Sequence, residues 1–311
     1  MSAPGTAGPR APLLEASPHP ALGLAPRTRQ LLSDYVELTK PKVQSLLLLS
    51  TIATMYVAGD PSLGLVALTC LGGYLSAGGA GAVNHWFDRD IDGQMKRTAN
   101  RPIPSGRVAP RSALLFGCVL AALSLLELSL TVNPLSAALS FSGFLGYVLV
   151  YTVWLKRRTP QNIVIGGAAG AVPPLVGWAA VTGSVSGTAV ILFFIVFFWT
   201  PPHFWALALV IKRDYAAARV PMLPVVRGDD ETARQIVWYS LVLVAVTLLP
   251  FAWHTAGVLY LAAALLLGAL FLRLAWRLRR ETTIARAGAL FRYSLLYLAL
   301  LFVALAIDPL L

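Results

Sequence analysis

Residues 63–92 read LGLVALTCLGGYLSAGGAGAVNHWFDRDID, an apolar run that leads directly into polar and acidic side chains. The apolar part, Leu63–Val83, has about the 20 residues that a helix needs to cross the hydrocarbon core of a bilayer. Acidic residues at the end of such a helix are costly unless they serve a site. This stretch therefore predicts a membrane fold and also indicates where its chemistry lies.

The rest of the chain repeats the apolar pattern. Of its 311 residues, 57% are hydrophobic and 13% are charged, which leaves too little polar surface to coat a soluble globule. We predict an all-α, polytopic membrane helix bundle with about nine transmembrane helices. The predicted spans are Val43–Ala58, Leu63–Val83, Ala113–Val132, Leu135–Leu155, Asn162–Val181, Thr188–Val210, Ile236–Trp253, Val258–Leu274 and Ala289–Ile307.

The basic residues predict how the bundle is oriented. All 25 Lys and Arg residues fall in the N-terminal region, in alternate connections between the predicted spans or, as with Arg273 and Arg292, in the span ends that adjoin those connections. Cytoplasmic segments carry the Lys and Arg surplus, so the N-terminus is predicted to be cytoplasmic and the C-terminus outside. The net charge of +11 is therefore assigned to membrane orientation, and no nucleic acid is expected as a partner. Residues 1–34, rich in Pro and Ala, are predicted as a disordered tail before a membrane domain at 35–311.

A row of polar side chains follows the second predicted span. Asn84, Asp88 and Asp92 lie four residues apart, so on a helix they share one face, with about 6 Å of rise between neighbours. Magnesium takes one or two carboxylates together with waters and phosphate oxygens, and Asp88 and Asp92 are its predicted ligands. The alternative is that these acids only pair with neighbouring bases at the membrane surface.

Cationic side chains accompany this acid row. Arg97 and Arg101 follow it in the same loop, and Lys156 begins the next basic connection. Lys and Arg can hold diphosphate oxygens, and Arg is suited to two-pronged contacts. This loop therefore combines acids that can bind a metal with bases that can bind a phosphate.

The sixth predicted span holds a second group of polar residues. Its Pro pair, Pro201 and Pro202, is predicted to kink or interrupt the helix, which membranes tolerate where a helix lines an enclosed cavity. His203 follows the pair directly and is either a packing residue or a ligand. The loop that comes next adds Lys212, Asp214 and Tyr215.

These motifs resemble the UbiA superfamily of intramembrane prenyltransferases, whose first signature is an Asn and two Asp at spacing four. Within the superfamily the chain is most similar to members that farnesylate heme B, and the similarity runs from about Tyr35 to Gly228. The second signature is reduced here to the single acid Asp214, a form that those members share. The similar segments are LTKPKV at 38–43, NHWFDRDID at 84–92, KRTANRPIPSGRV at 96–108, YTVWLKRRTPQNIVIGG at 151–167, TPPHFWALALVIKRDY at 200–215 and VPMLPVV at 220–226.

The resemblance implies a reaction and a set of roles. Farnesyl diphosphate would ionise on magnesium, and its C1 would be attacked by a vinyl group of heme B, with water completing the substituent of heme O. Heme B would be a substrate and not a cofactor. His203 would contact the heme, either at the iron or on the propionate side. The implied catalytic residues are Asn84, Asp88 and Asp92; those implied to bind the diphosphate are Lys40, Arg97, Arg101, Lys156 and Lys212; and Asp214 and Tyr215 would serve a second metal or the diphosphate.

The resemblance also implies binding partners for the protein, and other functions stay open beside the one it implies. It implies the lipid bilayer as surroundings and heme A synthase or heme–copper oxidase assembly proteins as partners. The short tail without a convincing presequence favours a bacterial plasma membrane over a mitochondrial inner membrane. Two other functions remain open: prenyl transfer to a quinone precursor, and solute transport, since intramembrane charges and Pro pairs also mark transport pathways.

Overall fold

The computed structural model describes residues 24–308 of the chain, which are helical apart from their connections, with no strand among them. This confirms the all-α class. The helices are α1 (Leu24–Leu38), α2 (Pro41–Ala58), α3 (Leu63–Phe87), α4 (Arg89–Asp92), α5 (Pro110–Thr131), α6 (Pro134–Leu145), a π-helix (Gly146–Leu155), α7 (Asn162–Gly170), α8 (Pro173–Thr182), α9 (Gly187–Val210), α10 (Lys212–Ala217), α11 (Leu223–Val226), α12 (Gly228–Thr247), α13 (Leu249–Ala252), α14 (Val258–Arg280) and α15 (Ile284–Ile307).

Eight stretches within residues 24–308 are long and apolar enough to cross a membrane, and they coincide with the second to ninth predicted spans. The first predicted span corresponds to α2, a helix of 18 residues that begins with Pro41, Lys42 and Gln44. At 1.5 Å per residue it is about 27 Å long, slightly short of a bilayer core. The chain is a multi-pass membrane protein, while the count of nine spans and the orientation of the termini stay predictions.

The predicted disordered tail is too long at its C-terminal end. Helix α1 begins at Leu24, so residues 24–34 are helical, and the remaining part of the predicted tail, residues 1–23, lies outside the described residues. Pro26 falls in the first turn of α1, where its missing N–H is not needed. Asp34 then accepts a hydrogen bond from Arg107 at 2.8 Å, which ties α1 to the loop before α5.

Pro201 and Pro202 do not interrupt the sixth span as predicted. Helix α9 continues through both prolines from Gly187 to Val210, and it is the most buried of the eight spans. The irregular backbone lies in neighbouring spans instead. The fourth predicted span ends in the π-helix, and the fifth is divided into α7 and α8 just before Pro173.

Close helix crossings hold the bundle together, because apolar burial alone does not drive helices together in lipid. The most extensive crossing joins α3 to α5, where Gly79 and Gly117 face each other. A Cβ atom at Gly79 would lie 2.7 Å from the carbonyl oxygen of Gly117, and a Cβ atom at Gly117 would lie 2.8 Å from that of Gly79. Both residues must therefore lack a side chain for the two backbones to approach this closely.

We expect Gly79→Ala to lower the midpoint of thermal unfolding in detergent, because the added methyl group forces α3 and α5 apart at a cost of about 1–3 kcal/mol. Gly73→Ala, on the same helix, is the control. Its Cβ would meet nothing nearer than Leu48 Cδ2 at 3.7 Å, so the midpoint should stay or rise slightly, since Ala favours helix. Equal midpoints for the two variants would contradict this account of the crossing.

Candidate functional site at the end of α3

The predicted acid row lies on one face at the junction of α3 and α4. Asn84, Asp88 and Asp92 are 3%, 0% and 1% exposed, so all three are buried. Helical backbone hydrogen bonds run through the row, from Asp88 N to Asn84 O at 2.9 Å and from Asp92 N to Asp88 O at 2.8 Å. The amide of Asn84 also donates to Asp88 Oδ2 at 2.7 Å. The four-residue spacing thus produces a contiguous row, as the sequence predicts.

Three cationic side chains from three separate segments meet this row. Lys40, between α1 and α2, donates to Asn84 Oδ1 at 2.6 Å. Lys156, which follows the π-helix, pairs with Asp88 Oδ2. Arg101, in the loop after α4, pairs with Asp92 Oδ2 at 2.7 Å. Three of the five predicted diphosphate contacts therefore converge on the acid row.

The backbone of Lys40 is unusual for a residue with a side chain. Its φ of 55° and ψ of 56° place it in the left-handed region, directly before Pro41 at the start of α2. Such a conformation costs about 1–2 kcal/mol for an L-residue. Burial lowers the pKa of Lys40 to about 7, and the neighbouring charges of Arg101 and Lys156 lower it as well. Strain and a destabilised ammonium at one position are typical of functional sites.

The π-helix determines which residues face the row. Its widened turns are visible in the bond from Lys156 N to Tyr151 O at 2.9 Å and in the bond from the Thr152 hydroxyl to Tyr147 O at 2.9 Å, each spanning five residues. Thr152 Oγ1 in turn accepts from Asn84 Nδ2 at 3.2 Å. Single π turns are frequent at functional sites. Here the π-helix brings Thr152 and Lys156 to the row together.

Asp90 lies outside the row. It is exposed and accepts two hydrogen bonds of 2.7 Å from the guanidinium of Arg157, which also lies over the ring of Phe87. The hydrogen bonds from Arg157 hold the pKa of Asp90 below its usual value, and Asp90 in turn raises the pKa of Arg157. This is an exposed ion pair of the kind that the alternative interpretation expects. Asp88 and Asp92 also pair with bases, but both of these carboxylates are buried.

Four predicted site residues make no ion pair or hydrogen bond with the row in the described part of the chain: Lys212, Asp214 and Tyr215 of the second loop and Arg97 of the first. Lys212 pairs with Asp229 at 2.8 Å on the surface between α10 and α12. Tyr215 is buried in the core that surrounds α9. Asp214 is half-buried and Arg97 is exposed, and neither side chain has an ion pair or hydrogen bond to another residue of the described chain. Their roles in binding diphosphate or a second metal stay predictions.

A cavity of about 470 Å³ lies beside the acid row. Residues from α2, α3, α6, the π-helix, α7, α8, α9 and α15 line it, and most of the lining is apolar. Lys40 and Tyr147 belong to the lining, with Lys40 Nζ 3.5 Å from the Tyr147 hydroxyl, and Lys40 also contacts Asn84. The apolar cavity and the charged row are therefore adjacent and share Lys40.

His203 lines the same cavity from α9. The sequence places it beside aromatic residues, and in the structure its ring stacks on Trp199 and Phe291, with ring centroids 4.2 Å and 4.8 Å away. Its Nδ1 is 2.6 Å from the hydroxyl of Ser294 on α15. Sequence reasoning missed Ser294 and Phe291, because they lie in the last span, which carries no recognisable motif.

His85 is a further residue that the sequence leaves undecided. It is 2% exposed, directly beside Asn84 on α3, and neither ring nitrogen has a hydrogen-bond partner within residues 24–308. Buried polar atoms are normally paired, so this ring is an exception next to the acid row. Its only sequence signal is its position within NHWFD.

The acid row fits a magnesium ion that arrives with its own ligands. Asp88 Oδ1 and Asp92 Oδ1 are buried without a hydrogen-bond partner in the described chain, and Arg157 Nη2 lies 3.5 Å from Asp88 Oδ1. No three His, Cys, Asp or Glu side chains of residues 24–308 come together to hold a metal by themselves. Two carboxylates completed by waters and phosphate oxygens is the arrangement that magnesium prefers.

The chain is an integral membrane protein with a polar site at its helix ends. It has eight apolar spans, a buried row of acids with paired bases, and an apolar cavity beside that row. The sequence profile of the UbiA prenyltransferase family matches residues 47–305, and the chain belongs to this family.

Several relatives are named protoheme IX farnesyltransferase. The protein from Synechocystis sp. is 51% identical over 283 residues, which cover 89% of this chain and 89% of that protein. The protein from Roseiflexus sp. is 57% identical over 280 residues, covering 89% of this chain but 52% of the relative. The chain therefore spans about half the length of the Roseiflexus relative and of a similar one from Chloroflexus aurantiacus.

Solved structures show the same fold at low sequence identity. A structure of digeranylgeranylglyceryl phosphate synthase superposes with a TM-score of 0.74 at 19% identity, covering 90% of this chain and 98% of that one. A UbiA homolog from Archaeoglobus fulgidus bound to DMAPP and Mg2+ gives a TM-score of 0.62 at 17% identity, covering 88% and 99%. The arrangement of spans is therefore that of UbiA proteins.

The ion pair of Lys156 with buried Asp88 predicts that the effects of mutating these two residues on stability depend strongly on each other. We expect Lys156→Met to lower stability by about 3–5 kcal/mol, because it leaves a buried carboxylate without its main partner. Adding Asp88→Asn should restore much of that loss, so the double variant should unfold at a higher temperature than Lys156→Met alone. Asp90→Asn, at an exposed ion pair, is the control and should change stability by less than about 1 kcal/mol. Additive losses in the double variant would argue against a buried pair.

Proposed function

We propose that this chain transfers the farnesyl group of farnesyl diphosphate to a vinyl group of heme B, with addition of water, giving heme O and diphosphate. The observation that carries the proposal is the contact of Lys40 with both the acid row and the apolar cavity. A substrate with a charged diphosphate and an apolar chain needs these two environments side by side. The names of relatives at 51–57% identity support heme as the acceptor.

The charged half of the site suits the diphosphate. Lys40, Lys156 and Arg101 stand against two carboxylates, so the site has a cationic surplus that an anionic ligand would balance. Asp88 and Asp92 would hold magnesium through their unpaired Oδ1 atoms. When bound, magnesium would neutralise charge on the departing diphosphate. The Archaeoglobus homolog, which binds DMAPP and Mg2+, supports this assignment.

The reaction requires that the C1–O bond of farnesyl diphosphate breaks and its electron pair leaves with the diphosphate. The vinyl carbons of heme B then supply the electrons of the new C–C bond, and water adds to the resulting cation and loses a proton. The cationic groups around Asp88 stabilise the leaving charge in a site that water barely reaches. The apolar cavity walls would shield the allylic cation from water until the vinyl group attacks.

The cavity beyond Lys40 suits the apolar substrates. Its lining is mainly aliphatic and aromatic, which favours a C15 chain and a flat macrocycle over a hydrated solute. We place the heme near His203, where Trp199 and Phe291 already stack on the ring of the histidine. The prenyl chain would then run from Lys40 toward the heme.

The bacterial relatives support a bacterial plasma membrane as the location. Heme A synthase and heme–copper oxidase assembly proteins are the proposed partners, since they would consume the product. Transfer to a quinone precursor and solute transport are the outcomes that the assay below must separate from heme farnesylation.

We expect purified protein in detergent with heme B, farnesyl diphosphate and magnesium to yield heme that has gained a farnesyl group plus water, detected by mass spectrometry. Asp88→Asn should reduce this product by at least about 100-fold, because it removes a carboxylate that would hold the magnesium neutralising the leaving group. Asp90→Asn changes the same residue type two positions away, outside the row, and should retain activity.

Each contrary result has its own meaning. Release of pyrophosphate from farnesyl diphosphate with prenylation of a quinone precursor, heme being unchanged, would retain prenyl transfer and overturn heme as acceptor. Solute movement into vesicles without pyrophosphate release would overturn prenyl transfer itself. Equal loss in Asp88→Asn and Asp90→Asn would contradict the role of the buried row.

Lys40→Gly should separate stability from activity. Gly adopts a φ of 55° without the strain of a side chain, so thermal stability should hold or rise, while loss of the ammonium should lower kcat/KM for heme farnesylation by roughly 100-fold. Arg219→Gly relieves a similar φ of 53° away from the site and should leave activity unchanged. Undiminished activity in Lys40→Gly would exclude Lys40 from the diphosphate contacts.

A further inference from the structure

A buried histidine and serine form a defined pair across α9 and α15. His203 is 6% exposed and Ser294 is 0% exposed, and His203 Nδ1 lies 2.6 Å from Ser294 Oγ. The carbonyl of Ser294 also accepts a 2.8 Å hydrogen bond from the indole N–H of Trp199. Both helices are therefore held in register at the point where the pair meets the cavity.

The hydrogen bonds of the serine favour one tautomer of the histidine. A serine hydroxyl carries one proton, and Ser294 donates it to the carbonyl of Phe291 at 2.6 Å. With that bond made, Ser294 Oγ has only lone pairs to offer His203, and the ring tautomer that completes this arrangement carries its proton on Nδ1. Nε2 is left with a free lone pair, and it has no hydrogen-bond partner among residues 28–308.

The surroundings keep this lone pair available and fixed in direction. The imidazole plane lies at 18° to that of Trp199 and at 28° to that of Phe291, so stacking on both rings restricts its rotation. His203, Trp199 and Phe291 all line the cavity, which offers few polar groups that could compete for Nε2.

We propose that His203 Nε2 is the axial ligand of the heme iron and that Ser294 is the positioning residue that fixes the ligating tautomer. Metal-bound histidines usually donate their other N–H to an oxygen acceptor, which orients the ring and raises its basicity. Ser294 supplies that acceptor here. The inference deepens the proposed function, on which it rests, by assigning the iron side of the heme to α9 and α15.

The test compares two probes that differ only in the metal: heme B and iron-free protoporphyrin IX, each titrated into the full chain in detergent. Wild type should bind heme B at least about tenfold more tightly and show a histidine-ligated absorption spectrum. His203→Ala should erase both the spectrum and the difference in affinity while still binding protoporphyrin IX, and added imidazole should restore the spectrum. His254→Ala, at an exposed histidine of an outer connection, is the control and should behave as wild type.

Ser294→Ala provides a second readout that simple misfolding does not imitate. It should keep histidine ligation but lower the iron–histidine stretching frequency of ferrous heme in resonance Raman spectra, because Nδ1–H loses its acceptor. Heme affinity should fall by roughly tenfold, at the lower end of what outer partners of metal ligands contribute.

The outcomes distinguish this inference from the proposed function. Farnesylation of heme by His203→Ala with an unchanged heme spectrum would overturn axial ligation and leave the proposed function standing. An unchanged iron–histidine frequency in Ser294→Ala would overturn the role of Ser294 alone. Wild-type protein that neither binds nor modifies heme B would overturn both the inference and the proposed function.

Discussion

The burial of Asp88 is the constraint on which the rest of this site depends. A carboxylate with no exposed surface at the end of an apolar helix must be paired, since an isolated buried charge is too costly. Its partner Lys156 lies far along the chain and reaches it because the backbone widens into a π-helix. The main partner of one buried acid thus comes from the end of an irregular segment two spans away.

Several energetically unfavourable features lie at or beside the acid row. Lys40 has a strained backbone, Asp88 and Asp92 each keep an oxygen unpaired, and His85 has no partner for either nitrogen within residues 24–308. A fold optimised only for stability would remove them, as natural proteins tolerate such costs mainly at functional sites. A metal ion would satisfy the two carboxylate oxygens, and an anionic ligand would offer acceptors to the Lys40 ammonium, while the backbone strain at Lys40 would remain. The concentration of these costs within contact distance of the row therefore supports a binding role more strongly than any single one of them.

Charged and apolar requirements are met by different parts of the bundle. The acid row and its cations come from helix ends and loops, where polar side chains can be hydrated or paired. The cavity lies inside the bundle, and the divided span α7–α8 and the π-helix contribute to its lining. Irregular backbone is tolerated in a membrane when it lines a cavity enclosed by protein. Lys40 joins the two parts because it belongs to both.

Much of this protein could be predicted from its sequence, because membrane spans and a row of acids on one helix are local properties. Apolar length predicts the spans, and spacing four predicts that Asn84, Asp88 and Asp92 share a face. Helix continuity was less predictable: Pro201 and Pro202 remain within α9, and α1 begins earlier than composition suggests. These outcomes depend on neighbouring helices and on tertiary contacts such as that of Asp34 with Arg107.

Long-range partnerships were decided only by the tertiary structure. Nothing in the local sequence separates Lys156, which reaches Asp88, from Lys212, which pairs with Asp229 on the surface. Nor does it connect His203 to Ser294, which is 91 residues away. The physical reason is that the sequence pattern shows which face of a helix is polar, whereas the packing of several helices determines what that face meets.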